Sequence, residues 1–392
     1  MTPDYNAITL LGSILLFYAL VGRELENWGV SGPILLVATG IGLGPWGLSL
    51  ISPTTDAVNL RIIAELALAI LLCVESAKSN IRDIARSIQI AWRLIVIALP
   101  LTILLGTGLV LLGYPNIGWV SALIIGAILA PTDMALAKPV VKARCVALRI
   151  RTALKLESSL NDGLVVPILI VAALVHAAPE NFVLTHELIW HFVQEILIAV
   201  SVGAGGALLV YTVVHLGRLR IERDKVWQPV PVTLLALTCF ALAQQLGGSG
   251  LIAAFVAGLM LSAFDDKERH PLVHAAEGIG DFLAFLAWIA FGVLMPMFFT
   301  EGIDMPFVIV YALLSLTVIR ILPTLLALTG SNLTFQQMML VGWFGPRGLA
   351  SLAFALALIP HDLVARTMAL QLIGVTVLLS LFLHGVSARL LR

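Results

Sequence analysis

The sequence predicts an all-α polytopic membrane protein with about thirteen transmembrane helices. Three observations predict it. First, the 392-residue chain is 60% hydrophobic and only 12% charged, with a mean hydropathy of +1.03, whereas a soluble domain carries about 25% charged residues. Second, apolar runs of about 18–25 residues recur between polar or Gly/Pro breaks. Third, Lys and Arg fall in alternate connections between those runs. The formal net charge is zero, so nothing points to nucleic acid as a partner. Cys73, Cys145 and Cys239 lie far apart with neither CxxC nor His-paired spacing; they read as small apolar fillers, and no cofactor is expected.

The first run, about 7–22, has no Lys or Arg before it and so reads as a retained helix rather than a cleavable signal peptide. The remaining runs are expected near 30–51, 57–77, 88–112, 117–141, 148–176, 190–217, 228–248, 250–264, 277–298, 305–328, 335–359 and 365–388. The loops after runs 1, 3, 5, 7 and 9 carry Arg23; Lys78, Arg82 and Arg86; Lys142 and Arg144; Arg218, Arg220, Arg223 and Lys225; and Lys267 and Arg269. The loops after runs 2, 4, 6, 8 and 10 carry none; Arg366, on a later outer loop, is the exception. Positive residues stay inside, so the N-terminus is expected outside and the C-terminus, with Arg389 and Arg392, in the cytoplasm. No soluble regulatory domain is visible, and residues 1–392 are expected to form one transmembrane unit in a bacterial inner membrane.

Ionisable groups at membrane depth are costly, so each is a site candidate whose partner must be found. KLESSLNDGLVV, residues 155–166, sets Glu157 four residues from Asn161 and Ser158 four from Asp162, which puts the two pairs on one helical flank. Gly163 offers close approach to a neighbour, and Pro167 a break further along. The bland reading is a polar stripe packed at the cytoplasmic mouth. In AILAPTDMALAKPVV, residues 127–141, Pro131 cannot bond the carbonyl of Ala127, so the helix should break near Thr132 and Asp133. Such breaks free carbonyls that serve as ion ligands; the alternative is a simple kink with Asp133 paired to Lys138. In GWFGPRGLAS, residues 342–351, Gly345, Pro346 and Gly348 interrupt a further run, with Arg347 inside. Two interrupted runs in corresponding places suggest an inverted repeat with a transport site where they cross; glycine-mediated helix packing is the alternative. Arg320 stands alone in the eleventh run and needs a carboxylate, for which Glu157 is the candidate, unless it pairs elsewhere or snorkels.

At these residues the sequence resembles the sodium/proton antiporters of the NhaP/NHE type, in the cation/proton antiporter superfamily. ESSLNDG (157–163) resembles the hallmark ESLLNDG, PTDMALA (131–137) resembles ATDPVAV, and GPRGLAS (345–351) resembles the Gly-Arg-Gly segment of the twelfth span. The resemblance covers essentially the whole chain. It implies two inverted six-helix repeats, here about 7–176 and 190–388, with broken crossing helices, forming a core transport domain beside a dimerisation domain in a homodimer. It further implies that Asp162 binds cation and proton in turn. Thr132, Asp133, Glu157 and Ser158 would help to bind or support a Na+, Li+ or K+ ion. Asn161 would steady the site and Arg320 would hold Glu157. Pro131, Met134, Lys138 and Ser159 depart from the family pattern, and they bear on which ion is preferred.

The chemistry of the residues leads to the same mechanism. A carboxylate taken out of water favours its neutral form unless a cation stabilises the charge. One Asp is then neutral with a proton or neutralised by a monovalent cation, and the empty charged form is costly to move. If only the neutral forms move, the two ions must exchange by alternating access. Asn161 stands where electrogenic relatives have a second Asp, so electroneutral 1:1 exchange is expected, with Na+ the first choice. His215 and His270, near cytoplasmic loops, read as ordinary interfacial residues. A cation channel or uncoupled transporter would use the same charges and show free current. An intramembrane aspartyl protease is the third reading, since EGIGD at 277–281 contains a GxGD string. It lacks both a Tyr-Asp context and a Pro-Ala-Leu segment, and Glu277 and Asp281 read as the polar start of the tenth run. A non-enzymatic transporter is the expectation.

Overall fold

The computed structural model describes residues 5–27, 31–51, 53–78, 81–133, 136, 140–141, 143, 145–177, 186–216, 227–263, 266–299, 304–358 and 366–387. Met134, Lys138, Pro139, Lys142, Arg144, Arg218, Arg220, Arg223, Lys225, Arg389 and Arg392 lie outside them, and so does the alternative pairing of Asp133 with Lys138.

The regular elements among the described residues are helical. In chain order they are α1 (Tyr5–Asn27), α2 (Gly32–Leu43), α3 (Pro53–Ala77), α4 (Ile81–Arg93), α5 (Leu99–Gly113), α6 (Trp119–Ile128), α7 (Leu148–Ala177) and α8 (His186–Leu216). There follow α9 (Pro229–Gln245), α10 (Gly250–Leu261), α11 (Asp266–Val293), α12 (Met305–Leu316), α13 (Val318–Leu328), α14 (Phe335–Trp343), α15 (Leu349–Leu358) and α16 (Arg366–Ser387). By length and composition, six segments of the described residues can cross a membrane: Ser87–Gly113, Leu148–Ala173, Val193–Val213, Pro271–Val293, Met305–Leu328 and Arg366–Ser387. Shorter apolar helices include Gly32–Leu43, Trp119–Ile128 and Gly250–Leu261. The chain is a multi-pass membrane protein.

Small residues bring the helices together. A Cβ on Gly40 would overlap the carbonyl of Ile289, and one on Gly292 would overlap that of Val37, so α2 and α11 meet backbone to backbone. At the GGSG stretch, Ser249 caps α10 by accepting from the N–H of Ile252 at 3.4 Å, which separates α9 from α10. A large apolar core runs through the molecule, and a second cluster around Ile90, Leu94, Ile150, Leu154, Leu328 and Val341 lies between α4, α7, α13 and α14.

Three features differ from expectation. The helix bearing ESSLNDG does not break at Pro167: α7 continues for 30 residues with that proline inside. Buried against its neighbours, a helix loses less by forgoing one hydrogen bond than by exposing a whole turn of backbone to an apolar medium. The eleventh run is not one helix, because Thr317, at φ −112° and ψ −90°, separates α12 from α13. A π-helical turn, Leu94–Ala98, joins α4 to α5.

Candidate functional site

Two backbone interruptions meet at the centre of the site. After α6 the chain leaves the helix at Leu129, and residues 130–133 run irregularly. Residues 344–348 separate α14 from α15. The two segments bond each other directly: the N–H of Asp133 donates to the carbonyl of Pro346 at 2.7 Å, and the N–H of Leu349 donates to Oδ2 of Asp133 at 2.7 Å. Gly348 allows this, since a Cβ there would overlap that same carboxylate oxygen. Gly345 plays the matching part toward Arg320, whose Nε a Cβ would overlap.

The carbonyls released by the first break are taken up by side chains. Ser351 Oγ donates to Ile128 at 2.9 Å. Nη1 of Arg347 donates to Ala130 and, at 2.7 Å, to Pro131. Ser158 Oγ donates to Thr132 at 2.7 Å. An unpaired carbonyl at this depth would cost free energy, which explains why polar side chains are collected here.

The charges are compensated in a definite pattern. Arg347, fully buried, faces carbonyls just past the C-terminus of α6, the negative end of that helix dipole. Asp133 accepts from the first N–H of α15, its positive end. Arg320 grips Glu157 with two hydrogen bonds, Nη1 to Oε1 at 2.6 Å and Nη2 to Oε2 at 2.9 Å, with both side chains 2% exposed. Thr132, besides accepting from Ser158, receives at Oγ1 the amide N–H of Asn161 at 3.0 Å. Asp162, 3% exposed, is different: its Oδ1 is buried and has no hydrogen-bond partner among the described residues. The side-chain oxygen of Asn161, the preceding residue on α7, is also without a donor. The charges that act on Asp162 are those of Asp133, Glu75 and Arg347. Buried acceptors are normally satisfied; a proton or a cation would satisfy these.

All eight residues singled out from the sequence, Thr132, Asp133, Glu157, Ser158, Asn161, Asp162, Arg320 and Arg347, are buried; hydrogen bonds join Thr132 to Ser158 and Asn161, and Glu157 to Arg320, while Asp133 and Arg347 each bond the backbone of the opposite interruption. Gly163 has the neighbour expected of it: a Cβ there would lie 2.6 Å from Ile252 of α10. Sequence reasoning missed several residues. Glu75, half-buried on α3, acts on Asp162; its signal was an acid inside an apolar run. Ser380 on α16 accepts from the backbone N–H of Arg347 at 2.7 Å. His384, one turn on and 1% exposed, bonds the carbonyl of Trp343 at 2.9 Å through Nε2 and approaches Ser380 through Nδ1. Together they fasten the second interruption to the last helix. Glu277, read as a helix start, pairs with Lys78 at 2.6 Å.

Comparison with known proteins gives the family and the fold. The chain is 22% identical over 389 residues to the K(+)/H(+) antiporter NhaP2 of Shewanella baltica, covering 97% of this chain and 66% of that relative. It is 25% identical over 366 residues to the Na(+)/H(+) antiporter ApNhaP of Aphanothece halophytica, covering 90% and 67%. The chain thus spans about two-thirds of the length of the curated relatives it matches. Its fold is that of the sodium proton antiporter MjNhaP1 from Methanocaldococcus jannaschii, with a TM-score of 0.79 at 22% identity over 99% of this chain and 98% of that one. The profile of the family described as "Sodium/hydrogen exchanger, transmembrane" matches residues 11–391, and the chain belongs to that family of transmembrane exchangers, not of enzymes.

Proposed function

We propose that the chain exchanges a monovalent cation for a proton across the membrane by alternating access, with Asp162 carrying each in turn. One observation carries the reading. Of the three buried acids at the crossing, Glu157 is gripped by Arg320 and Asp133 accepts from the N–H of Leu349, whereas Asp162 keeps an Oδ1 that is buried and unpartnered among the described residues. Asp133, Thr132 and Ser158, with Glu157 behind them, frame the ion site; Asn161, Arg320 and Arg347 hold its shape. The relatives named for K+ and for Na+ support a monovalent cation, and Na+ remains our first choice, with Li+ and K+ as the alternatives.

The architecture we infer has thirteen spans: two inverted six-helix repeats, near 7–176 and 190–388, form a core domain beside a dimerisation domain in a homodimer. The alternation of basic loops supports an outer N-terminus and a cytoplasmic C-terminus.

The test uses reconstituted vesicles with an imposed pH gradient. Na+, Li+ and K+ are added separately, and dissipation of the gradient is followed for wild type and Asp162→Asn. Wild type is expected to dissipate the gradient with at least one of them and the variant with none. An active variant would remove Asp162 from the site. Current without coupled proton movement would favour a channel.

A further inference from the structure

Away from the crossing, a cavity of about 240 Å³ opens where α4, α7 and the turn between α13 and α14 meet. It is lined by Gln89, Arg93, Arg149, Ser331 and Asn332, with Ile90 and Gly330. Its chemistry is one-sided: among the described residues, two guanidinium groups line it and no carboxylate does. Arg93 donates through Nη1 to the carbonyl of Thr329 at 2.9 Å and keeps its remaining donors. Among the described residues, neither arginine has an ion-pair partner. The Nε of Arg149 and the Oγ of Ser331 are both buried and both unpartnered there. Buried polar atoms are normally satisfied, and leaving a guanidinium N–H unpaired is costlier than leaving a neutral donor so.

The setting limits what satisfies them. α4 carries Arg82, Asp83, Arg86, Gln89 and Arg93, whereas residues 94–113 carry no charge. Arg93 therefore stands in the polar first two turns of the membrane-crossing segment Ser87–Gly113, next to Trp92, which is 64% exposed as interfacial tryptophans are. Arg149 stands likewise at the start of α7. The apolar cluster of Ile90, Leu94, Ile150, Leu154 and Leu328 packs next to the cavity and fixes the elements around it.

We propose that this cavity binds a phosphate group. Guanidinium forks match phosphate oxygens bidentately, and Ser331, Asn332 and Gln89 supply neutral hydrogen bonds. The group is either that of a soluble phosphate compound or the headgroup of an anionic phospholipid reaching in from the interface. The site differs from the ion site but shares its elements: α7 carries Glu157 and Asp162, and α13 carries Arg320. A bound phosphate bridges the ends of α4, α7 and α13 and so biases the movement of the elements that hold the ion.

The test is ligand-dependent thermal unfolding of the purified full chain, in two arms. In detergent, inorganic phosphate is titrated against chloride at equal ionic strength. In nanodiscs, phosphatidylglycerol is titrated into phosphatidylcholine. A saturable rise in Tm is expected in at least one arm. A response to free phosphate assigns a soluble ligand, and a response to phosphatidylglycerol alone assigns the lipid. Arg93→Gln and Arg149→Gln are each expected to raise the midpoint about tenfold or more, while Lys78→Gln leaves it unchanged. Should a glutamine variant fail to accumulate, Arg93→Lys and Arg149→Lys keep the charge but lose the fork, and a raised midpoint is again expected. No saturation in either arm, or a wild-type midpoint in the arginine variants, overturns the proposal.

Discussion

Arg320 and Glu157 set the energetics of the site at the scale of single residues. Their two hydrogen bonds are formed with both groups almost wholly out of water. Removing one partner strands a buried charge, which costs about 3–5 kcal/mol. Arg320→Gln is therefore expected to lower the stability of the purified protein by that order in thermal unfolding. The double variant Glu157→Gln/Arg320→Gln should recover much of the loss, since neither charge is then stranded. A double variant as unstable as the single would show that the pair acts through packing alone. This pairing was legible in the sequence because a lone arginine in an apolar run has few ways to be neutralised. Ser351, Ser380 and His384 were not legible. In an apolar helix such side chains can equally bond their own backbone, as Thr324 does to the carbonyl of Arg320 at 2.8 Å. Only the fold decides which of them reach across to an interrupted neighbour.

At the scale of elements, the second interruption works because its two glycines let charged side chains approach its backbone closely. Gly348→Ala would push a methyl group into the carboxylate of Asp133 and displace it from the N-terminus of α15. Loss of most exchange activity is expected in the vesicle assay, together with reduced stability. Gly108 in α5 is the contrast, because a Cβ there meets nothing within 4 Å. Gly108→Ala should keep its activity and gain about 0.5–1 kcal/mol from the better helix former. Equal effects of the two substitutions would sink the close-approach account. Both breaks could be read in the sequence, because Pro131 and Gly345-Pro346-Arg347-Gly348 leave a helix few options. The interruption at Thr317 could not, because no residue there forbids a helix. The π-helical turn at Leu94–Ala98 had a signal that was passed over: Pro100 has no N–H for the carbonyl of Val96. Pro167 misled in the other direction, because burial outweighs a missing hydrogen bond.

At the scale of the whole molecule, the balance of buried charge is what the proposed stoichiometry rests on. The crossing holds three carboxyl groups, Asp133, Glu157 and Asp162, against two guanidiniums, Arg320 and Arg347. Fully ionised, this buried set carries one net negative charge, and one proton or one monovalent cation neutralises it. Moving the neutral forms is favoured because an uncompensated charge is costly to carry through a low-dielectric interior. Glu75 stands half-buried at the margin, where it makes the region more negative without belonging to the buried set. It should strengthen cation binding, and Glu75→Gln should raise the apparent KM for the cation at high pH, where proton competition is weak. Two further consequences follow if one group serves both ligands, as proposed. Exchange should be electroneutral, so a cation gradient at constant pH drives no steady current across a planar bilayer containing the protein. The proton and the cation should also compete by simple mass action. As pH falls, protons occupy more of the site and the apparent KM for the cation rises, by about tenfold per pH unit once protons dominate. As pH rises, KM should level off at the intrinsic cation affinity. A limiting slope near two would mean that two protons are displaced, with Glu75 titrating beside Asp162. A flat profile would mean that cation and proton occupy different groups, and the assignment of both to Asp162 would fail.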